Sequence, residues 1–346
     1  MSDPDRLCIL RLSAIGDCVH TLAVVRALQL ALPKTRITWV IGKTEASLMQ
    51  GLDDVELLVY EKSAGKREQQ AFLKTLATRQ FDVLLNMHAS WRANRISRFI
   101  RAPRKIGFDR ARARDAQWLF TNERIAPAHQ PHVIDGLFGF AARLGVPRDD
   151  LQWRLPLGPE DYALADRINP DAKPLIVISP CSSQRARNYR NWPVERFVDV
   201  VRTLLERYDS TIAVTGSDSE EEHRYAASIA AVAPDAIHNL VGQSSLKSLA
   251  ALIDRAACVI CPDSGPAHIA SAVDTPVIGM YATSNPGRTG PVRNPEYTVN
   301  RYPDAVQRYL NRSVDNVRWG RRVRHPDAML LIDTQSVEQQ IDRILG

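Results

Sequence analysis

Short apolar runs alternate along the chain with segments whose apolar residues recur every three or four positions. The first run, Leu7 to Leu12, reads as a buried strand. Ser13, Ala14 and Gly16 then make a turn, and Val19, Leu22, Ala23, Arg26, Ala27 and Leu30 set out a helix. Further strands are expected at 36–41, 55–60, 81–87 and 104–108, with helices at 69–78, around 92–99 and at 132–144. The stretch 148–174 is poor in strands and rich in Pro, Asp and Gly. It holds one short helix near 161–168 and reads as the domain boundary. The pattern then repeats, with strands at 175–179, 211–215, 258–261 and a last one within 275–281. Helices are expected from Pro193 to Arg207, from Glu220, from Ser244 or Ser245 through Leu252, at 264–272 and at 336–345. Strands alternating with helices predict parallel βαβ units, here as two αβ halves with a cleft between them.

A chain of 346 residues with 45% apolar content suits two domains, each with its own core. No apolar run approaches the roughly 20 residues of a membrane span. The first residues, Met1 to Arg6, lack the apolar core and cleavage site of a signal peptide, so a cytoplasmic protein is expected. Five cysteines (Cys8, Cys18, Cys181, Cys258, Cys261) make no disulfide framework. Cys258 and Cys261 have C-x-x-C spacing but sit in an apolar run with no second pair, which predicts buried thiols and no metal site. The net charge of +6 is unevenly placed. Between Arg92 and Arg124 ten Lys or Arg face three acids, and the rest of the chain is about neutral. Such a patch suits a polyanion: a nucleic acid, a phosphorylated sugar or an acidic membrane surface.

Four stretches carry candidate chemistry. In the first turn, Asp17 is either a cap on the following helix or a carboxylate at the cleft rim able to act as a general base. The turn has one Gly, so neither the G-x-G-x-x-G nor the Walker pattern is present. In Cys261-Pro262-Asp263-Ser264-Gly265-Pro266-Ala267-His268 a strand delivers Asp263, and the free N–H groups of the next helix make a phosphate site. Asp263 can hold sugar or ribose hydroxyls, while His268 is either a phosphate donor or a packed helix residue. The stretch 179–193 places Ser182, Ser183, Arg185, Arg187 and Arg190 before a Trp-Pro helix start, hydroxyls and cations that suit a pyrophosphate. The Gly- and Pro-rich loop 281–291 follows the last expected strand.

Taken together, I-G-D-x-V-H-T-L at 15–22, D-S-G-P-x-H at 263–268 and Y-x-x-x-x-P-G-R at 281–288 resemble the ADP-heptose:lipopolysaccharide heptosyltransferases of glycosyltransferase family 9. The likeness covers nearly the whole chain and is greatest to the heptosyltransferase I branch. It implies a GT-B fold, two Rossmann-like domains with parallel sheets facing across a cleft. The acceptor domain would span 1–155 and the nucleotide-sugar domain 172–325, with a C-terminal helix, 326–346, packing back on the N-terminal domain. It also implies an inverting, metal-independent transferase with ADP-heptose as donor and no cofactor. The acceptor would be an anionic, Kdo-containing lipopolysaccharide inner core, met at the cytoplasmic face of the inner membrane. Asp17 is then the general base, and Arg190 stands where the family has a Lys before x-W-P. Ser182, Ser183, Arg187, Arg190, Glu221, Glu222, Ser244, Asp263, Ser264, Gly265 and His268 would bind the donor. Ser13, Gly16, Arg92, Arg95, Arg112 and Arg114 would bind the acceptor. The stretch 181–189 departs from the family's Thr-rich pattern, and the basic segment 312–324 has no assigned place. Two other readings are the same fold with UDP- or GDP-sugars, and a nucleic-acid-binding protein using the basic patch. The second lacks aromatic-basic interleaving and any recognition motif.

Overall fold

A computed structural model describes residues 3–182 and 188–346. The chain divides into two compact units, Met1–Pro156 and Leu157–Gly346. The first runs β1 (Arg6–Leu10), α1 (Ile15–Ala31), β2 (Arg36–Gly42), α2 (Lys43–Met49), β3 (Val55–Tyr60) and α3 (Lys66–Ala77). It continues through β4 (Val83–Asn86), α4 (Trp91–Ser97), β5 (Arg104–Gly107), β6 (Glu123–Arg124) and α5 (Val133–Ala142). Its six strands lie in the order β3-β2-β1-β4-β5-β6, all parallel. Helices cover such a sheet on both faces, which is why β1 and β4 are continuous apolar runs rather than alternating ones.

The expected first helix forms, and Val19, Leu22 and Ala23 are buried as its spacing predicts, but the stripe fails towards its end. Leu30 is 81% exposed, and Val24, Val25 and Leu28 are buried instead. α1 packs against both α5 and α2, and most of its length is buried, so a single stripe cannot be picked from spacing alone.

The second unit runs α6 (Pro159–Ile168), β7 (Leu175–Ile178), α7 (Val194–Arg207), β8 (Thr211–Val214), α8 (Glu220–Ala230), β9 (Ile237–Asn239) and α9 (Leu246–Asp254). There follow β10 (Cys258–Pro262), α10 (Gly265–Ala272), β11 (Val277–Tyr281), α11 (Pro286–Thr289), β12 (Val299–Asn300), α12 (Tyr302–Leu310) and α13 (Thr334–Leu345). Its strand order, β12-β11-β10-β7-β8-β9, repeats that of the first unit. β12 pairs in parallel with β11, so the strand within 275–281 is not the last.

Two sequence expectations change here. The short helix placed in the boundary stretch, α6, packs on α9 and belongs to the second unit. The final helix, expected to return to the N-terminal domain, is built into the second unit's core. Val337 and Ile341 are buried there beside Phe197 and Leu204, and Tyr208 donates a hydrogen bond to Asp342 at 2.8 Å. All five cysteines are free and buried, as the apolar setting of Cys258 and Cys261 predicts.

Candidate active site

In an open parallel sheet of this order, neighbouring connections leave in opposite directions beside the first strand. The carboxyl ends there open a crevice. In the first unit that point lies between β1 and β4. The chain leaving β1 carries Arg11 and Leu12, and the chain leaving β4 carries Met87 and His88. They are tied together across the crevice. Arg11 Nη1 donates to the Met87 carbonyl at 2.6 Å, and the Leu12 N–H donates to His88 Nδ1 at 3.1 Å.

Asp17, the third residue of α1, meets this bridge. Its Oδ2 forms an ion pair with Arg11 Nη2 and accepts the Ala14 N–H at 3.4 Å. Both readings of Asp17 are therefore present in one side chain: it closes the helix start, and about a third of it stays exposed at the crevice. Arg11 is almost wholly buried, and its backbone carbonyl accepts the Trp39 indole N–H at 3.1 Å. Around the pair, burial and the Arg11 charge push the His88 imidazole down to about 3, which keeps it neutral as an acceptor for Leu12. Burial pushes the Glu45 carboxyl up. Gly42 is required by close approach: a Cβ there would lie 2.4 Å from the Leu12 carbonyl oxygen. Ser13 and Gly16 flank Asp17 in the same turn.

The corresponding crevice of the second unit lies between β7 and β10. Arg190, on the chain leaving β7, donates from Nη1 to the Asp263 carbonyl at 2.7 Å and from Nε to Asn188 Oδ1 at 3.2 Å. Asn188 and Asn191 hold Ser182: its hydroxyl donates to Asn188 at 2.9 Å, and its N–H donates to Asn191 at 2.9 Å. Asn191 in turn donates to Glu221 at 3.1 Å. This web fixes the position of Arg190 against the end of β10. Asp263 is 5% exposed, and among the described residues its Oδ2 has no hydrogen-bond partner. Two guanidinium groups lie near it, Arg190 Nη1 at 3.7 Å and Arg322 Nη2 at 3.9 Å. Ser264 is the N-cap of α10 and its side chain makes no capping hydrogen bond, so among the described residues the first N–H groups of α10, beside Gly265, have no side-chain cap. His268 stands one turn into that helix.

Other expected site residues take different places. Glu222 is buried and turned inward: it accepts the Ser217 N–H at 3.0 Å and the Ser219 hydroxyl at 2.6 Å, closing the start of α8. Of the two glutamates, Glu221 is the one left half-buried, beside Asn191. Ser244 lies half-buried in the loop before α9, and its neighbour Ser245 is the cap. Ser183 and Arg187 lie outside the described residues. Arg112 is committed internally, pairing with Asp109 and donating to the Ala126 carbonyl at 3.0 Å. Arg92, Arg95 and Arg114 are exposed on or beside α4, with no carboxylate partner among the described residues.

Sequence reasoning missed Arg11, His88, Asn188, Asn191 and Arg322. A charged Arg11 inside an apolar run and a His88 directly after one are signals that could have been read. Arg322 gives no such signal.

Two units of identical strand order, each with polar groups gathered at its crevice, make the GT-B class of glycosyltransferase architecture. Solved structures agree on this fold. Glycosyl transferase family 9 from Veillonella parvula superposes with a TM-score of 0.77 at 20% identity, covering 99% of this chain and 97% of that one. Escherichia coli heptosyltransferase WaaC with ADP superposes with a TM-score of 0.73 at 20% identity, covering 98% and 99%. The signature of glycosyltransferase family 9 (heptosyltransferase) matches residues 69–312, and the chain belongs to that family. It is 37% identical over 341 residues to lipopolysaccharide core heptosyltransferase OpsX of Haemophilus influenzae, covering 99% of this chain and 97% of OpsX. It is 25% identical over 306 residues to lipopolysaccharide heptosyltransferase 1 of Escherichia coli K12, covering 82% and 90%.

Proposed function

We propose that the protein transfers heptose from ADP-heptose to a Kdo-bearing inner-core lipopolysaccharide acceptor, with inversion at the anomeric carbon. The observation that supports this most is the matched placement of Asp17 and of the Arg190–Asp263 group. Each stands at the switch point of its own sheet, where a parallel αβ unit binds ligands. The names of the relatives point the same way, since OpsX is a lipopolysaccharide core heptosyltransferase and WaaC was solved with ADP.

In this reading the acceptor hydroxyl gives its proton to the Asp17 carboxylate as its oxygen forms the bond to the anomeric carbon. The bond from that carbon to the β-phosphate oxygen breaks, and ADP leaves with the electron pair. Arg190, Gly265 and the open start of α10 hold the diphosphate, with Ser264 beside it, and fixed donors of this kind stabilise the leaving group. Asp263 accepts from the sugar hydroxyls and Glu221 from the ribose. No step is assigned to a metal ion, which the chelator in the titration below tests.

The acceptor's carboxylates and phosphates meet Arg92, Arg95 and Arg114. Trp91, Phe99, Trp118 and Leu119 are exposed in the same stretch of the chain, a mixture of apolar and basic side chains suited to the cytoplasmic surface of the inner membrane. No helix among the described residues is long and apolar enough to cross a membrane.

The donor half of the proposal is tested by calorimetric titration with ADP, UDP and GDP in the presence of a chelator. ADP should bind clearly best, and Asp263→Ala should weaken ADP-heptose more than ADP. A preference for UDP or GDP would replace the sugar nucleotide, and no binding to any would overturn the donor site.

A further inference from the structure

We infer that Arg322 is a second cation on the donor's β-phosphate, delivered by a segment far along the chain from the motifs that mark the site. This rests on the donor reading above and adds a residue to it.

The segment 319–323 is folded back over the carboxyl ends of β10 and β11. The Val323 N–H donates to the Thr283 carbonyl at 3.0 Å, just beyond β11, and the Tyr302 hydroxyl donates to the Arg321 carbonyl at 2.7 Å. Gly320 makes the bend possible. Its φ is +77°, and a Cβ there would meet the Arg288 side chain at 2.8 Å. Trp319 packs over Gly287 of the P-G-R loop. Arg322, next along, is thereby carried to within 3.9 Å of the buried Asp263 carboxylate.

That distance is the informative one. It is short enough for attraction between charges and too long for a hydrogen bond, and Arg190 stands at a similar 3.7 Å. Among the described residues Arg322 makes no hydrogen bond, and its side chain is 41% exposed. A guanidinium that served only to anchor Asp263 would close the fork onto the carboxylate. This one leaves its N–H donors turned to a carboxylate oxygen that, among the described residues, accepts no hydrogen bond, and to a helix start whose cap side chain is unused. Two guanidinium groups against one carboxylate leave the pocket with a surplus positive charge. A diphosphate joined to a polyol meets both halves of that arrangement, hydroxyls on Asp263 and phosphate on the arginines. Because Asp263 faces the sugar, the phosphate beside it is the one bonded to the sugar, the β-phosphate.

The test is calorimetric titration of the full-length protein and its Arg322→Gln and Arg322→Lys variants with ADP, AMP and adenosine, with melting temperature measured alongside. Losing hydrogen bonds to a charged group should weaken ADP binding by about 10- to 100-fold in Arg322→Gln. AMP should change little, adenosine not at all, the melting temperature should hold, and Lys should recover part of the loss. Equal loss of all three ligands, or a fall in melting temperature without selective loss of ADP, would make Arg322 a structural prop. Unaltered ADP binding in Arg322→Gln would overturn the assignment alone. Failure of the wild-type protein to bind ADP would overturn the donor reading and this assignment with it.

Discussion

Asp17 is held by Arg11 on one side and by the Ala14 N–H on the other, and each contact has a separable consequence. Asparagine is isosteric and still accepts the Ala14 N–H, so Asp17→Asn should fold. It cannot take a proton from a hydroxyl, and turnover should fall by about 10²–10⁴-fold with ADP binding retained. His88 predicts a pH effect on stability. Its folded-state value, about 3, lies below its ordinary 6.5. The unfolded chain therefore binds a proton first as pH falls. Stability is full above about 6.5 and is lost as pH drops toward 3, at up to about 1.4 kcal/mol per pH unit. Glu45 acts with the opposite sign, because burial raises its carboxyl and so favours the folded state as pH falls. Comparing denaturation midpoints of His88→Asn and wild type between pH 7 and 4 isolates the imidazole. The variant, whose Asn oxygen can still accept the Leu12 N–H, should show the shallower loss.

At the scale of elements, α13 and α4 make the clearest predictions. Ile341 of α13 is buried in the second unit's core, so Ile341→Ala should cost about 2–5 kcal/mol in chemical denaturation. A loss under about 0.5 kcal/mol, the range of surface changes, would mean the helix is not part of that core. On α4, Arg92→Glu with Arg95→Glu should raise the KM for the acceptor and leave ADP affinity unchanged; equal loss of both would move the acceptor elsewhere. The strands behind these elements were legible where they are four or more residues long and buried on both faces, since β1, β4, β7 and β10 are plain apolar runs. β9, β12 and β6 were not, because two or three residues carry no period. α2 escaped notice because its strand runs directly into it at Gly42. α12 escaped because it sits in a Pro- and Arg-rich stretch that reads as loop. The stripe expected on α1 holds at Val19, Leu22 and Ala23 and fails at Leu30, since a helix packed on more than one side has no single apolar face.

For the molecule as a whole, the repeated order of the two sheets explains why three motifs far apart in the sequence each sit at the carboxyl end of a strand. Each follows a strand: the Asp17 turn β1, the Asp263 turn β10, and the P-G-R loop β11. Those residues were readable because a strand, a turn and a helix start leave a local trace. Arg11, His88 and Arg322 were not assigned because their roles arise from chain segments brought together only by the fold: β1 against β4, and the segment 319–323 against β10. Glu222 shows the reverse case. Its acidic triplet marks the start of α8 in the sequence, and only the structure shows that its carboxylate is turned onto Ser217 and Ser219.

The most direct test of the central claim is a transfer assay with purified protein, ADP-heptose and a Kdo-lipid A acceptor in the presence of a chelator. ADP release and the mass of the product would be followed for wild type and Asp17→Asn. The account predicts a heptosylated product and stoichiometric ADP from wild type, and loss of both in Asp17→Asn while that variant still binds ADP. Near-normal turnover by Asp17→Asn would remove Asp17 as the base. No product from a folded, ADP-binding wild-type protein would contradict the proposed acceptor or sugar.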